Sequence, residues 1–357
     1  MTEPLPMAGG MQPIRVVALT PAGAGLAQRL CQTLEGAECW LPSTRAVPGV
    51  QTFDNLARVF AEAFAKGHSL VCIMAAGIVV RQVAPLLQGK DRDPAVVVVD
   101  EEGRFAVSLL SGHLGGANRL ARRVAGALKG TPVITTATDV QGLPALDLVA
   151  AQAGLVVENL AEVKEVSMAL LSGEPVWLVD PEGRLIAFLK GHQHLFRLES
   201  DLETALDIGP QPTVYAGWEE RPWPPGWLRL RPRSLIAGVG CHKGTPAQEI
   251  LAFLQKTFRQ AGLSLHSLKA LATIAAKKDE PGLKEAARWL NVDLLWFTAE
   301  ELEQVPVPHP SMQATRHVGA RSVSEAAALK AGKGELLVPK QKSANVTVAV
   351  ARAASPL

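Results

Sequence analysis

The chain lacks the signatures of several common classes. Its four cysteines, Cys31, Cys39, Cys72 and Cys241, form no C-x-x-C pair, so neither a zinc knuckle nor a thioredoxin motif is present. Isolated thiols in apolar runs, such as Cys72, serve as small core residues, and reduced thiols suit the cytoplasm. Aromatics are scarce at 5%, with a single tyrosine, which argues against a surface that stacks oligonucleotide bases. The net charge of +2 supplies no strong field for nucleic acid or membranes. No apolar run reaches the length of a membrane span, and the start carries no secretory leader. These absences predict a soluble, cytoplasmic protein, frayed over residues 1–12. The dinucleotide fingerprint G-x-G-x-x-G, a G-K-[ST] phosphate loop and the G-x-S-x-G elbow are also missing.

What is present is a long chain, 357 residues, 48% of them hydrophobic with many Ala and Val. That suits buried parallel strands covered by helices in two or three domains. The central stretch is Phe105 to Asp139. An apolar run, Phe105 to Leu110, reads as a strand. A loop, Ser111-Gly112-His113-Leu114-Gly115-Gly116-Ala117-Asn118, interrupts it. Leu120, Val124, Ala127 and Leu128 then recur at helical spacing, and Pro132 to Thr136 reads as another strand. A glycine-rich loop at a strand end lets backbone approach a ligand, and the helix start offers N–H groups to an anion. His113 can move a proton near neutral pH. Arg119, Arg122 and Arg123 share one helix face, which suits a ligand with several carboxylates or phosphates. Arg81, in an earlier helix, could reach the same edge but reads more readily as a solvated helix residue.

Strands alternating with helices predict an α/β chain. Two mostly parallel α/β domains, over 12–139 and 232–357, are joined by a smaller α+β module and proline-rich linker over 140–231. Local readings include a helix over Thr52 to Lys66 and a tight turn at Asp100–Gly103 that makes Phe105–Leu110 antiparallel to its neighbour. A return strand is expected at Arg184 to Phe188, and an extended linker from Glu219 to Trp227. Capping boxes are expected at Thr245/Gln248 and Ser322/Glu325. His192 and His194 would share a face if they lay on a strand, but two imidazoles alone do not make a metal site. Three loops of the last domain carry polar groups: Cys241-His242-Lys243, Lys277-Lys278-Asp279-Glu280, and Lys340 through Asn345. Strand ends of one parallel sheet gather at one edge, so these lysines could surround one anion.

SLLSGHLGGAN followed by TPVITTATD closely resembles the N-terminal signature of the cobalt-precorrin-5A hydrolases of anaerobic cobalamin biosynthesis. AGVGCHKGTPAQEI, KKDEPGL, VGARSVSEAAAL and VTVAVARA resemble their C-terminal domain. One departure is Ile274-Ala275-Ala276, where the resemblance leads one to expect a more polar residue. The resemblance implies opening of the δ-lactone of cobalt-precorrin-5A, with the two-carbon fragment leaving as acetaldehyde to give cobalt-precorrin-5B. It implies no redox cofactor and no protein metal site, because cobalt is carried within the substrate. The implied partner is an anionic cobalt-tetrapyrrole; a homodimer and hand-over to the next pathway enzyme are compatible with it.

Residue chemistry then assigns roles. His113 is the base that activates water, with Asp139 to orient it and Ser111 as a lesser nucleophile. The N–H groups of Gly115 and Gly116 are oxyanion donors. Substrate contacts are expected from Gly112, Gly115, Gly116, Asn118, Arg119, His242, Lys243, Lys277, Lys278 and Glu280. A non-catalytic corrinoid carrier is the alternative, and a nucleotide-binding regulator ranks third.

Overall fold

The computed structural model describes residues 13–89, 92–113, 115–207, 209–308 and 322–354. The expected frayed start, Leu114 of the glycine loop and residues 318–321 of one C-terminal motif lie outside the described residues. The chain divides into two compact units, Met1–Ala151 and Gln152–Leu357.

The first unit runs β1 (Ile14–Ala18), α1 (Pro21–Thr33), β2 (Ala37–Pro42), β3 (Gln51–Phe53), α2 (Leu56–Lys66), β4 (Ser69–Ile73), α3 (Ala76–Val83), β5 (Val96–Val99), β6 (Phe105–Leu110), α4 (Ala117–Leu128), β7 (Thr131–Val133), α5 (Ala137–Val140) and α6 (Leu146–Gln152). Its sheet has the order β3-β2-β1-β4-β5-β6-β7. Alternate residues of the central strands feed two cores. Val16, Val71 and Val97 pack with Leu30 of α1 and Val124 of α4. Val17, Cys72 and Val98 pack with Phe60 of α2 and Val79 of α3. Burial on both faces explains why these strands read as unbroken apolar runs. The expected helix from Thr52 starts later. Thr52 and Phe53 pair with Leu41 and Pro42 of β2, and the Asn55 side chain caps α2 by accepting the Arg58 N–H at 3.2 Å.

The turn at Asp100–Gly103 reverses the chain as expected: Asp100 accepts the N–H of Phe105 at 2.7 Å, and β6 runs antiparallel to β5. β7 then pairs parallel to β6. The carboxyl ends of β6 and β7 therefore lie together, at the edge where β5 begins, with Leu110 opposite Val96. α3 starts at the opposite edge, and the Arg81 guanidinium folds onto its own helix, donating to the Gly77 carbonyl at 3.0 Å. Arg81 does not join His113.

The second unit holds two sheets. The first is built from β8 (Leu155–Val157), α7 (Leu160–Leu171), β9 (Val176–Val179), β10 (Phe196–Glu199), α8 (Leu202–Asp207), β11 (Thr213–Ala216) and β12 (Trp227–Pro232). In its order β10-β9-β11-β12-β8 only β8 is antiparallel to its neighbour. The middle segment is thus mostly parallel, where an α+β module was expected. The return strand from Arg184 to Phe188 does not form, because the Asp180 carboxylate accepts the N–H groups of Arg184, Leu185 and Ile186 at 3.0, 2.8 and 2.9 Å. That draws the chain into a 3₁₀ turn, Ile186–Phe188. His192 and His194 lie at another such turn, not on a strand.

The last sheet is built from β13 (Leu235–Cys241), α9 (Ala247–Gln260), β14 (Leu268–Ile274), α10 (Pro281–Leu290), β15 (Asp293–Phe297), α11 (Ala299–Glu303), α12 (Val323–Gly332), β16 (Leu336–Lys342) and β17 (Val346–Arg352). Its order is β15-β14-β13-β17-β16, with β15, β14 and β13 parallel and β17 antiparallel to both neighbours. Neither expected capping box forms. Thr245 donates its hydroxyl to the His242 carbonyl at 2.9 Å, so α9 starts later without a side-chain cap. The Glu325 carboxylate is drawn to the Lys340 N–H at 2.9 Å. A capping box does open α11, between Thr298 and Glu301.

Candidate active site

The loop after β6 folds on itself. Ser111 and Gly116 take left-handed backbone, with φ of 58° and 85°. The N–H of Gly116 donates to the His113 carbonyl at 2.9 Å, and those of Ala117 and Asn118 to the Ser111 and Gly112 carbonyls at 3.0 Å. The expected anion site at the helix start is therefore largely filled by the loop's own carbonyls, and the Gly116 amide is not a free oxyanion donor. Gly115 is required for packing: a Cβ there would stand 2.3 Å from that of Ser111. At Gly112 it would stand 2.8 Å from the Asn118 amide oxygen.

Parallel pairing of β6 and β7 brings the two ends of the motif together. His113 Nε2 lies 3.2 Å from Asp139 Oδ2 and 3.2 Å from the Thr138 hydroxyl. Arg122 donates to the other Asp139 oxygen at 2.7 Å. Asn118 is buried, and its amide nitrogen donates to Asp139 at 2.8 Å and Thr136 at 3.1 Å, while its oxygen accepts from Ser108 at 2.6 Å. Burial alone would push the Asp139 carboxyl up; the Arg122 and His113 groups outweigh it and hold it below its ordinary value. An ionised carboxylate only accepts, so Nε2 carries the proton. The lone pair of His113 is then on Nδ1, which is the atom able to take a proton from water.

Ser111 does not join this arrangement. Its Oγ is buried without a hydrogen-bond partner among the described residues, so no base activates it. Arg119 is exposed, one turn ahead of Arg122.

Sequence reasoning missed Asp147, on the first turn of α6. It is buried, and its carboxylate accepts the Leu148 N–H at 2.9 Å. Burial pushes its carboxyl up, and His113, when protonated, pulls it down by less. Its proximity to His113 is tertiary and left no mark in the spacing. A raised folded-state pKa means the native state holds the proton over a pH range where the unfolded chain, near pKa 3.9, has lost it. Stability falls as pH rises through that window, and the penalty is fully present above the folded pKa. Asp147→Asn should therefore raise Tm by several degrees at pH 7, and the gain should vanish below about pH 4. Thermal melts at both pH values test this; an equal shift at both, or a loss at pH 7, would remove the buried charge as the cause.

The second unit gathers the other expected residues. β16 runs parallel to β13, so its end joins the ends of β13 and β14, and the His242 N–H donates to the Asn345 carbonyl at 2.9 Å. Glu280 is buried, accepts the Gly244 N–H at 2.6 Å and lies 3.6 Å from Lys277. Its role is to tie these two loops together. His242, Lys243 and Lys278 are exposed. The Cys241 thiol is pushed up to about 11, chiefly by burial. Among the described residues no group of three or more His, Cys, Asp and Glu side chains is placed to hold a metal ion, and no helix is long and apolar enough to cross a membrane.

Three family models match the chain: Cobalamin synthesis G N-terminal over residues 58–139, Cobalamin biosynthesis central region over 144–232, and Cobalamin synthesis G C-terminus over 235–351. The cobalt-precorrin-5A hydrolase of Priestia megaterium is 35% identical, over 94% of this chain and 94% of its own length. That of Salmonella typhimurium is 36% identical, over 94% of this chain and 96% of its own.

Proposed function

The chain belongs to the cobalt-precorrin-5A hydrolase family, and from that premise we propose that it opens the δ-lactone of cobalt-precorrin-5A and releases acetaldehyde, leaving cobalt-precorrin-5B. The observation that carries the catalytic assignment is the bond between His113 Nε2 and Asp139. His113 Nδ1 takes a proton as water adds to the lactone carbonyl; Asp139 fixes the ring and its tautomer; Arg122 keeps Asp139 ionised. The Gly115 N–H retains the oxyanion role. Ring opening gives a carboxylate and a hydroxyl. Loss of the hydroxyl proton and cleavage of the adjoining carbon–carbon bond release the aldehyde, with the electron pair retained by the macrocycle. Water is consumed and no electrons are gained or lost overall, so the scheme calls for no redox cofactor; cobalt enters as part of the substrate. We place the protein in the cytoplasm, acting as a homodimer that hands product to the next enzyme.

Acetaldehyde release under catalytic and stoichiometric protein tests the reading. Multiple turnovers are expected; saturation at one equivalent would make the chain a corrinoid carrier instead. Lys277 and Lys278 are assigned to the substrate's carboxylate arms. Replacing both with Ala should raise KM, most strongly at low salt, because the lost attraction is electrostatic and screened. An unchanged KM across salt concentrations would take these lysines out of the site.

A further inference from the structure

We propose that the edge formed by the carboxyl ends of β15, β14 and β13 is a stacking platform for a planar, polycarboxylated tetrapyrrole. The Trp296 indole lies under the ring, and Lys278 with the His242–Lys243 loop takes its carboxylates. The proposal rests on the hydrolase reading and adds the residue that grips the macrocycle.

Trp296 is 52% exposed on β15, the edge strand of its sheet, in a chain that is only 5% aromatic. Leaving so large an apolar face in water costs free energy unless something covers it. It sits near the strand's carboxyl end, paired in register with Thr273 of β14. The Lys278 ammonium stands 5.4 Å from the centre of the indole and has no ion-pair partner among the described residues. With the ammonium over one face of the indole, the opposite face and the cation together match a flat, conjugated ring that carries carboxylates on its rim.

The charge balance of the edge points the same way. Glu280 is engaged with the Gly244 N–H and Lys277, Asp279 with Lys284 at 2.8 Å and Glu301 with the capping box of α11, which leaves Glu300 as the exposed carboxylate next to the end of β15. Lys278 and Lys243 remain exposed and positive. Neighbouring strands lie about 4.8 Å apart, so β15 and β13 are about 10 Å apart, a span that one macrocycle can bridge. Between them β14 ends in Ile274 and continues as Ala275-Ala276, which present only methyl groups and leave the surface low.

The test uses the full chain and uroporphyrin, a planar tetrapyrrole carrying carboxylates, titrated at low salt and followed by its absorbance shift. Trp296→Ala should weaken binding about tenfold or more, the effect of removing a stacking aromatic. Trp296→Phe should stay within about threefold of wild type, because a smaller ring still stacks. Lys278→Gln should weaken binding and flatten its salt dependence. Equal affinity for wild type and Trp296→Ala, equal losses for the Ala and Phe variants, or no binding by wild type would each overturn the platform. Acetaldehyde release from cobalt-precorrin-5A, measured on the same wild-type preparation, tells the two failures apart: release leaves the hydrolase reading standing without the platform, and its absence sinks both.

Discussion

His113→Ala is expected to lower the single-turnover rate of acetaldehyde release by about 10²–10⁴-fold at saturating substrate, the usual contribution of a general base. The fold should survive, because the ring is partly exposed and its partners Asp139 and Thr138 hold one another's surroundings through Asn118 and Arg122. His113→Asn should not recover the rate, since an amide keeps polarity without basicity. Asp139→Asn supplies an independent check. Its amide would present a donor to Nε2, forcing the proton to Nδ1 and removing the lone pair that faces water. It should cost a rate loss of similar size with the geometry intact. Asp139 itself is a poor substitute base: Arg122 and His113 hold its carboxyl below the ordinary range despite burial. A near wild-type rate for His113→Ala would end the base assignment, and a near wild-type rate for Asp139→Asn would end the tautomer argument.

Much of this site was legible because its parts are local. Glycines after an apolar run, followed by helical spacing, mark a strand, loop and helix whatever surrounds them. Asp139 was legible as the acidic residue beyond the next strand, and the Asp100–Gly103 turn correctly announced that β6 reverses. The consequence of that reversal is tertiary. It sends His113 and Asp139 to the edge away from α3, so Arg81 falls out of the site. The fate of the Gly116 amide was equally hidden, because its partner is set by the left-handed turns at Ser111 and Gly116. The strands β2, β3, β8, β10, β11 and β12 were missed. Two of them, β3 and β8, have three residues each, too few for alternation to register.

The second large effect, at Arg231, lies on the strand that follows the segment read as an extended linker. Trp227 begins β12 and is buried, and Trp223 packs 4.7 Å from Tyr215 and 5.7 Å from Trp227, ring centre to ring centre. Arg231 follows on that strand with no exposed surface. Its guanidinium pairs with Glu158, donates to the Gly217 and Glu219 carbonyls at 3.1 and 2.6 Å, and reaches Glu220 at 2.8 Å. Four of its five N–H donors are used, which is what makes a buried guanidinium tolerable. Glu220 also donates its backbone N–H to the Gly262 carbonyl at 2.8 Å, and Ser264 donates to Trp218 at 2.8 Å, so the cluster ties β12 to the end of α9 in the neighbouring sheet. Arg231→Met should cost about 3–5 kcal/mol, the range for removing one partner of a buried ion pair. The loss exceeds the value of the contacts because Glu158 would be left charged and largely enclosed. Burial raises the Glu158 carboxyl, but Arg231 and Arg229 outweigh it and hold it below its ordinary value. A depressed folded-state pKa gives stability that is fully present above the unfolded value, about 4.3, and is lost as pH falls through the folded one. The gap between wild type and Arg231→Met should therefore narrow in acid. Urea unfolding at pH 7 and near pH 3 measures both parts. A cost below about 1 kcal/mol at pH 7 would rank Arg231 with surface ion pairs, and a gap that stays constant in acid would mean that packing of the arginine against Tyr215 and Trp223, not its charge, holds the two sheets of this unit together.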